Sequence, residues 1–265
     1  MSATQENKTV IVTGAGSGIG YAVAEAFLKL GANVVLNGRT ESKLRNAAKQ
    51  LRHADQIAIA PGDITQARTG QRLVDTAVDR FGRLDVLFNN AGIFESKPFT
   101  DYSVDELDGY LGYLRGTFLG SQAAAQQMRR NGGGAIINIT TILTLNGVKA
   151  IPSSAPIAAK GGINALTKSL AIELAPDNIR VNAVAPGIVP TPLYGDLSDE
   201  QRAALHAMQP LGRYGEVSDI ADAVLYLANA SWVTGVILPV DGGVSAGGDA
   251  TSHVDQPAET ASATA

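Results

Sequence analysis

Cysteine is absent from this chain of 265 residues. Disulfides, thiolate catalysis and cysteine metal sites are therefore excluded. Histidine is scarce, with His53, His206 and His253 standing far apart. That separation suits no metal cluster, so three solvated side chains and no metal site are expected. There is no excess of positive charge either. The formal charge is −4, whereas a nucleic-acid partner calls for a clustered basic face. No apolar run approaches the ~20 residues that span a bilayer, and Met1 to Lys8 lacks the apolar core of a secretory signal. The expectation is no nucleic acid, no membrane and, by default, a cytoplasmic location.

What is present is an alternation of short β-branched runs with longer helical patterns, the mark of a parallel sheet covered by helices on both faces. Thr9–Thr13, Asn33–Leu36, Gln56–Ala60, Leu84–Phe88, Ala135–Ile139, Ile179–Val184 and Val236–Pro239 read as strands. Helices are expected from the glycine-rich turn after Thr13 through Lys29, over Glu41–Leu51, from about Ser103 to Arg130, and up to Leu174. No linker divides residues 8–245, so one α/β domain is expected there, preceded by a flexible segment 1–7. After Ser245 large apolar residues almost vanish, which predicts a disordered tail over 246–265.

Gly14-Ala15-Gly16-Ser17-Gly18-Ile19-Gly20 lies directly between the first strand and its helix. Glycines there let backbone N–H groups approach a pyrophosphate resting on the positive end of the helix. A tight strand-to-helix turn needs glycine in any case, so the context strengthens the reading: a first strand before, an amphipathic helix after, and a second strand ending about twenty residues on.

Together with that loop, three further motifs complete a pattern: Asn89-Asn90-Ala91-Gly92, Lys160 with its following helix, and Pro186-Gly187-Ile188-Val189-Pro190-Thr191. With Asp241-Gly242-Gly243 near the end, the chain resembles the short-chain dehydrogenase/reductase family over residues 8–245. The resemblance implies a Rossmann-like, doubly wound domain with seven parallel strands in the order 3-2-1-4-5-6-7. It implies a nicotinamide dinucleotide held by Gly14, Ser17, Gly18, Ile19 and Gly20. Asp63 and Ile64 would contact adenine, and Asn90, Ala91 and Gly92 would lie along the adenosine, with Asn89 bracing the central strands. Pro186, Gly187, Val189 and Thr191 would frame the nicotinamide, and Lys160 would bind its ribose.

An acidic residue at the end of the second strand would bond a ribose 2′-hydroxyl and repel a 2′-phosphate. This chain has none, reading Asn37-Gly38-Arg39-Thr40 instead. Arg39 offers a guanidinium suited to bidentate phosphate contact, though it also suits a solvated turn. A basic residue inside the glycine loop is missing, since Ser17 holds that place. NADP(H) is favoured, with NAD(H) as the alternative.

The largest departure from the family is at the reaction centre. The family's Tyr-x-x-x-Lys reads Pro156-Ile157-Ala158-Ala159-Lys160 here, and a proline ring has no proton to give. Tyr113 stands for the family's Asn on the long helix. Thr140-Thr141 stand for its Ser-Ser, with Thr141, or a neighbour such as Thr144, as the expected counterpart of the serine that steadies the carbonyl oxygen. Fifteen positions separate Thr141 from Pro156, a longer separation than the family's, so the loop from Ile142 to Ser154 holds an insertion. Ser153 or Ser154 is expected to cap the helix that Pro156 begins. Of the family's catalytic set only Lys160 is intact. Tyr113 is the expected replacement donor, its phenol sharing the Lys160 ammonium, and Tyr194 is a weaker candidate.

The expected function is carbonyl–alcohol interconversion on a small, largely apolar substrate covered by residues 190–211. The alternative is an inactive NADP(H)-binding protein serving as sensor, scaffold or partner subunit. A homodimer or homotetramer is expected, with Ala123, Ala124, Ala125 and Leu119 offering a small-residue helix surface and Trp232, Val233 and Ile237 an apolar edge.

Overall fold

The computed structural model describes residues 6–148, 151–191 and 198–246. Seven parallel strands form one sheet in the order β3-β2-β1-β4-β5-β6-β7, as the resemblance implied. They are β1 (Thr9–Val12), β2 (Asn33–Gly38), β3 (Ile57–Pro61), β4 (Val86–Asn89), β5 (Gly134–Ile139), β6 (Ile179–Pro186) and β7 (Ile237–Val240). Seven α-helices are described between them: α1 (Gly18–Lys29), α2 (Glu41–Leu51), α3 (Thr69–Phe81), α4 (Val104–Asn131), α5 (Ser154–Glu173), α6 (Asp199–Ala207) and α7 (Val217–Asn229). The sequence reading assigned nothing to the stretches that form α3 and α7. In α3, buried Leu73, Val74 and Ala77 share one side, and Gly82 ends the helix at φ 80°.

Residue alternation along β1 sends Val10 and Val12 to one face and Ile11 to the other. The first face packs under Phe27 and Leu28 of α1 and Ile220, Val224 and Leu227 of α7. The second is covered by Leu73 and Val74 of α3, Met128 of α4 and Ala171 of α5. Both faces being buried explains why the strands read as continuous apolar runs.

Helix ends follow local chemistry. Ser103 and Glu106 form a reciprocal capping box at the start of α4, with the Glu106 carboxylate 2.7 Å from the Ser103 N–H. Pro156 is the third residue of α5, within the first turn where a missing N–H costs nothing. The expected serine cap is not formed: Ser153 holds the N-cap position, but its hydroxyl donates to the Ile151 carbonyl at 3.0 Å. Ser154 is already helical.

The strand order reverses between β1 and β4, opening a crevice beyond their carboxyl ends. The expected small-residue surface on α4 is corrected by the fold. Ala123, Ala124 and Ala125 are all buried within this chain, because that stretch of α4 faces the sheet and α3. Trp232, at 98% exposure, is on the surface as expected.

Candidate active site

The loops leaving β1 and β4 are tied together through one hydroxyl. Thr13 Oγ1 accepts from the Asn90 N–H at 2.9 Å and the Ala91 N–H at 3.0 Å, and donates to the Phe88 carbonyl at 3.3 Å. Asn90 returns the contact, its Nδ2 donating to the Thr13 carbonyl at 2.9 Å. Gly14 sits in this junction at φ 67°, where a Cβ would lie 2.8 Å from Asn90 Nδ2. A Cβ at Gly20 would run into the Gly14 carbonyl. These glycines serve close packing of the loop on its own helix. Thr13 ends the first strand run expected from the sequence, but its hub role is visible only once β4 lies beside it.

Whether this cradle suits a dinucleotide pyrophosphate can be tested on the start of α1. Ser17 is its N-cap and makes no side-chain capping bond, and the first turn carries no acidic residue. The positive helix end is therefore not neutralised by the chain's own capping groups. That arrangement, beside glycines that keep side chains away, fits a phosphate diester.

At the end of β2, Asn37 is buried and its Nδ2 donates to the carbonyls of Ala60 and Gly62 at 2.9 and 3.1 Å. It stitches β2 to the loop after β3. Arg39 is exposed at the rim. Lys43, in the first turn of α2, has its Cβ 3.5 Å from where a Gly16 Cβ would stand. A second cationic side chain thus emerges beside the glycine loop, a proximity that sequence spacing did not reveal. Asp63 is held by its own turn, Oδ1 accepting from Thr65 N–H at 2.9 Å and Thr65 Oγ1 at 2.8 Å. Gly116 of α4 allows that helix to press against Ile64, since a Cβ there would strike the Ile64 carbonyl.

Beneath the crevice a buried polar chain braces the central strands. Asn89 Nδ2 donates to Ser121 Oγ at 3.1 Å and Asn138 Oδ1 at 2.9 Å, and Asn138 Nδ2 donates to Thr167 Oγ1 at 2.9 Å. Satisfied groups of this kind fix strand positions without reaching a ligand.

At the far end of the crevice, Lys160 rises from α5 and its Nζ donates to the Ile139 carbonyl at 2.8 Å. The amine is 3.5 Å from where a Gly92 Cβ would be. Burial pushes its pKa down from the ordinary lysine range to about 8. Pro156, one turn earlier, is buried, and Ala155 and Ala159 beside it pack on Tyr110 and Leu114 of α4.

Thr141 follows β5 as the cap of a 3-10 turn over Ile142–Thr144 and accepts from the Leu143 N–H at 3.3 Å. Thr144 donates to the Thr141 carbonyl at 2.7 Å and accepts from Asn164 Nδ2 at 2.7 Å. Tyr113 is half-buried. Burial pushes its phenol pKa up and Asp63 acts in the same direction, while Arg39 opposes them. Lys160 is not among the charges acting on it. Tyr194 lies outside the described residues.

Gly187 follows β6 with its N–H donating to the Val240 carbonyl at 3.0 Å. A Cβ at Gly187 would meet Asp241 Cα at 2.7 Å. The Asp241-Gly242-Gly243 stretch is thereby fixed against the Pro186–Thr191 loop, in which Pro186 and Val189 are buried. Of the segment expected to cover the substrate, residues 192–197 lie outside the described residues. Asp199 and Glu200 open α6 as exposed groups within its capped first turn. Among the described residues no group of His, Asp and Glu could hold a metal ion, and no helix is long and apolar enough to cross a membrane.

Comparison with known proteins adds a consistent picture. A family model described as enoyl-(acyl carrier protein) reductase matches residues 14–245. The chain is 42% identical to a 3alpha-hydroxysteroid dehydrogenase of Mediterraneibacter gnavus, across 89% of this chain and 96% of that protein. It is 40% identical to a cis-4-hydroxycyclohexanecarboxylate dehydrogenase of Sinomonas cyclohexanicum, across 90% and 97%. A crystal structure of a short-chain type dehydrogenase/reductase from Mycobacterium marinum superposes with a TM-score of 0.87 at 31% identity, covering 92% of this chain and 97% of that one.

Proposed function

The chain belongs to the short-chain dehydrogenase/reductase family, and from that premise we propose that it is an NADP(H)-dependent oxidoreductase interconverting a secondary alcohol and a ketone carried on a saturated ring. The observation that carries the reading is one crevice with two matched ends. At one end stands the glycine cradle under α1. At the other is the buried Lys160 amine, 3.5 Å from the Cβ position of Gly92.

The bound dinucleotide would supply or accept the hydride. The chain's own residues do the rest. Gly14, Ser17, Gly18, Ile19 and Gly20 would receive the pyrophosphate, and Asp63, Ile64, Asn90, Ala91 and Gly92 would line the adenosine. Pro186, Gly187, Val189 and Thr191 would frame the nicotinamide, and Lys160 would reach its ribose. Thr141 would donate to the substrate oxygen and orient it. Arg39, with Lys43 beside the glycine loop, supports a 2′-phosphate at the rim, and no acidic side chain ends β2 to oppose one.

The ring-borne substrate is supported by the relatives, which act on a hydroxysteroid and on a hydroxycyclohexanecarboxylate. The retained Lys160, half-buried with its amine on the Ile139 carbonyl, argues against a purely sensing role. A closed homo-oligomer is part of the reading, with exposed Trp232 beside β7 and exposed Leu111 and Phe118 on α4 as its apolar surfaces.

Two measurements test the reading. NADPH fluorescence should change on binding at micromolar protein, with NADH binding more weakly. NADPH should then be oxidised in the presence of 4-oxocyclohexanecarboxylate or a 3-oxosteroid. Binding without turnover across such ring ketones would remove the enzymatic reading.

A further inference from the structure

Reduction of a carbonyl needs a proton as well as a hydride, and the usual phenol is replaced by Pro156. Among the described residues, the hydroxyls at this end of the crevice other than Thr141, which is assigned to the substrate oxygen, are engaged or too weakly acidic. Thr140 donates to the Val184 carbonyl, Thr144 to the Thr141 carbonyl and Ser153 to the Ile151 carbonyl. Tyr102 donates to the Glu95 carbonyl and packs edge-on against Tyr110. Burial raises the Tyr113 phenol pKa, with Arg39 opposing and Asp63 reinforcing it, which makes it a poorer acid than a free phenol.

Lys160 is different. Its ammonium has three N–H donors, and among the described residues its hydrogen-bond partner is the Ile139 carbonyl alone. That carbonyl lies two residues before Thr141, the expected ligand of the substrate oxygen. No side chain intervenes at Gly92, and the proline ring at 156 places no hydroxyl in front of the amine.

We propose that Lys160 itself exchanges the proton with the reacting oxygen, in place of the phenol one helical turn earlier. This rests on the oxidoreductase reading above. In reduction the carbonyl carbon accepts a hydride with its electron pair from the reduced dinucleotide, and the π pair of the C=O bond moves to oxygen. A Lys160 N–H bond breaks as the O–H bond forms, leaving a neutral amine that takes a proton from water. Alcohol oxidation runs the same path backwards and needs the neutral amine at the outset.

Burial is the one influence on the Lys160 pKa among the described residues. Neither β5, the Asn89–Ile93 loop nor Arg115 and Tyr113 of α4 contributes a charge to it, and Lys168 of α5 contributes none. The amine therefore changes charge near pH 8, within the working range of a general acid.

The experiment combines pH profiles with a titration that does not depend on turnover. Wild-type protein is assayed with 4-oxocyclohexanecarboxylate and NADPH, and in reverse with 4-hydroxycyclohexanecarboxylate and NADP+. Reduction should fall and oxidation rise through one inflection near pH 8. NMR of protein labelled with 13C at lysine Cε, assigned through Lys160→Arg, should show this amine titrating at the same pH in the NADP+ complex.

Lys160→Arg keeps a cation but cannot exchange a proton in this range. It should lose at least about a hundredfold in both directions, while NADPH affinity changes less than about tenfold. Ethylamine should partly restore Lys160→Ala, and circular dichroism of both variants confirms folding. The proposal is overturned if Lys160 titrates above pH 10, if Lys160→Arg retains more than a tenth of turnover, or if Tyr113→Phe is the variant that abolishes it. Wild-type protein that binds NADPH but turns over no ring ketone would instead sink the oxidoreductase reading, and this inference with it.

Discussion

Asn164 donates to Thr144 across 2.7 Å, and Thr144 in turn holds the Thr141 carbonyl. Asn164 lies one turn beyond Lys160 on α5, so the turn after β5 is tied to the helix that carries Lys160. Thr141 is thereby held at the start of that turn. The Asn164 Oδ1 is itself buried with no partner, which lowers the net worth of the tie.

Asn164→Ala should therefore destabilise the fold by only about 1 kcal/mol, the ordinary value of one hydrogen bond less the relief of the orphaned oxygen. Urea unfolding midpoints measure it. NADPH affinity should be unchanged and turnover reduced, because Thr141 loses its fixed position and the glycine cradle does not.

Arg39→Ala should weaken NADPH binding by about ten- to a hundredfold, corresponding to the loss of a charge-assisted phosphate contact of roughly 1.5–3 kcal/mol. NADH binding should be left near its wild-type value. Fluorescence titrations with both coenzymes check this, and an equal loss for both would remove the case for a 2′-phosphate contact.

Gly20→Ala should disable the cofactor end of the crevice. The new Cβ has the Gly14 carbonyl and, at 2.6 Å, Asn90 Nδ2 in its way, and backbone cannot yield as a side-chain tip can. Overpacking of this kind costs about 1–3 kcal/mol. A lowered Tm with loss of NADPH-induced stabilisation is the expected outcome.

Glu106 supplies an acid-side test. Lys97, followed by the Ser103 backbone and hydroxyl, holds its carboxyl down at about 2. A depressed carboxyl stabilises the fold above the ordinary carboxylate range, and that contribution fades as pH falls from about 4.5 toward 2. Glu106→Ala should lower Tm at pH 7, and the gap to wild type should close toward pH 2. A gap unchanged with pH would show that the cap, not the charge, carries the effect.

Much of the fold was legible because its signals are local. Strand runs with both faces buried, the helix starting near Ser103 and the glycine turn each depend on residues close in sequence. The interval holding α3 was missed because Thr69–Phe81 mixes five apolar positions into a polar segment, and only the sheet beneath shows which side is buried. The expected α4 surface failed for a related reason: three consecutive alanines say nothing about which neighbour lies over them.

At the site, residue types and spacings by themselves determined the glycine turn, the missing acid after β2, and a proline rather than a phenol one helical turn before Lys160. Only tertiary structure decided that Thr13 joins two loops, that Lys43 stands by Gly16, that Tyr113 answers to Arg39 and Asp63, and that the Lys160 amine is buried against Ile139. Hydrogen-bonding capacity and helical period are written into neighbouring residues. The field and the solvent around a side chain come from segments remote in sequence, and they exist only after the sheet has brought those segments together.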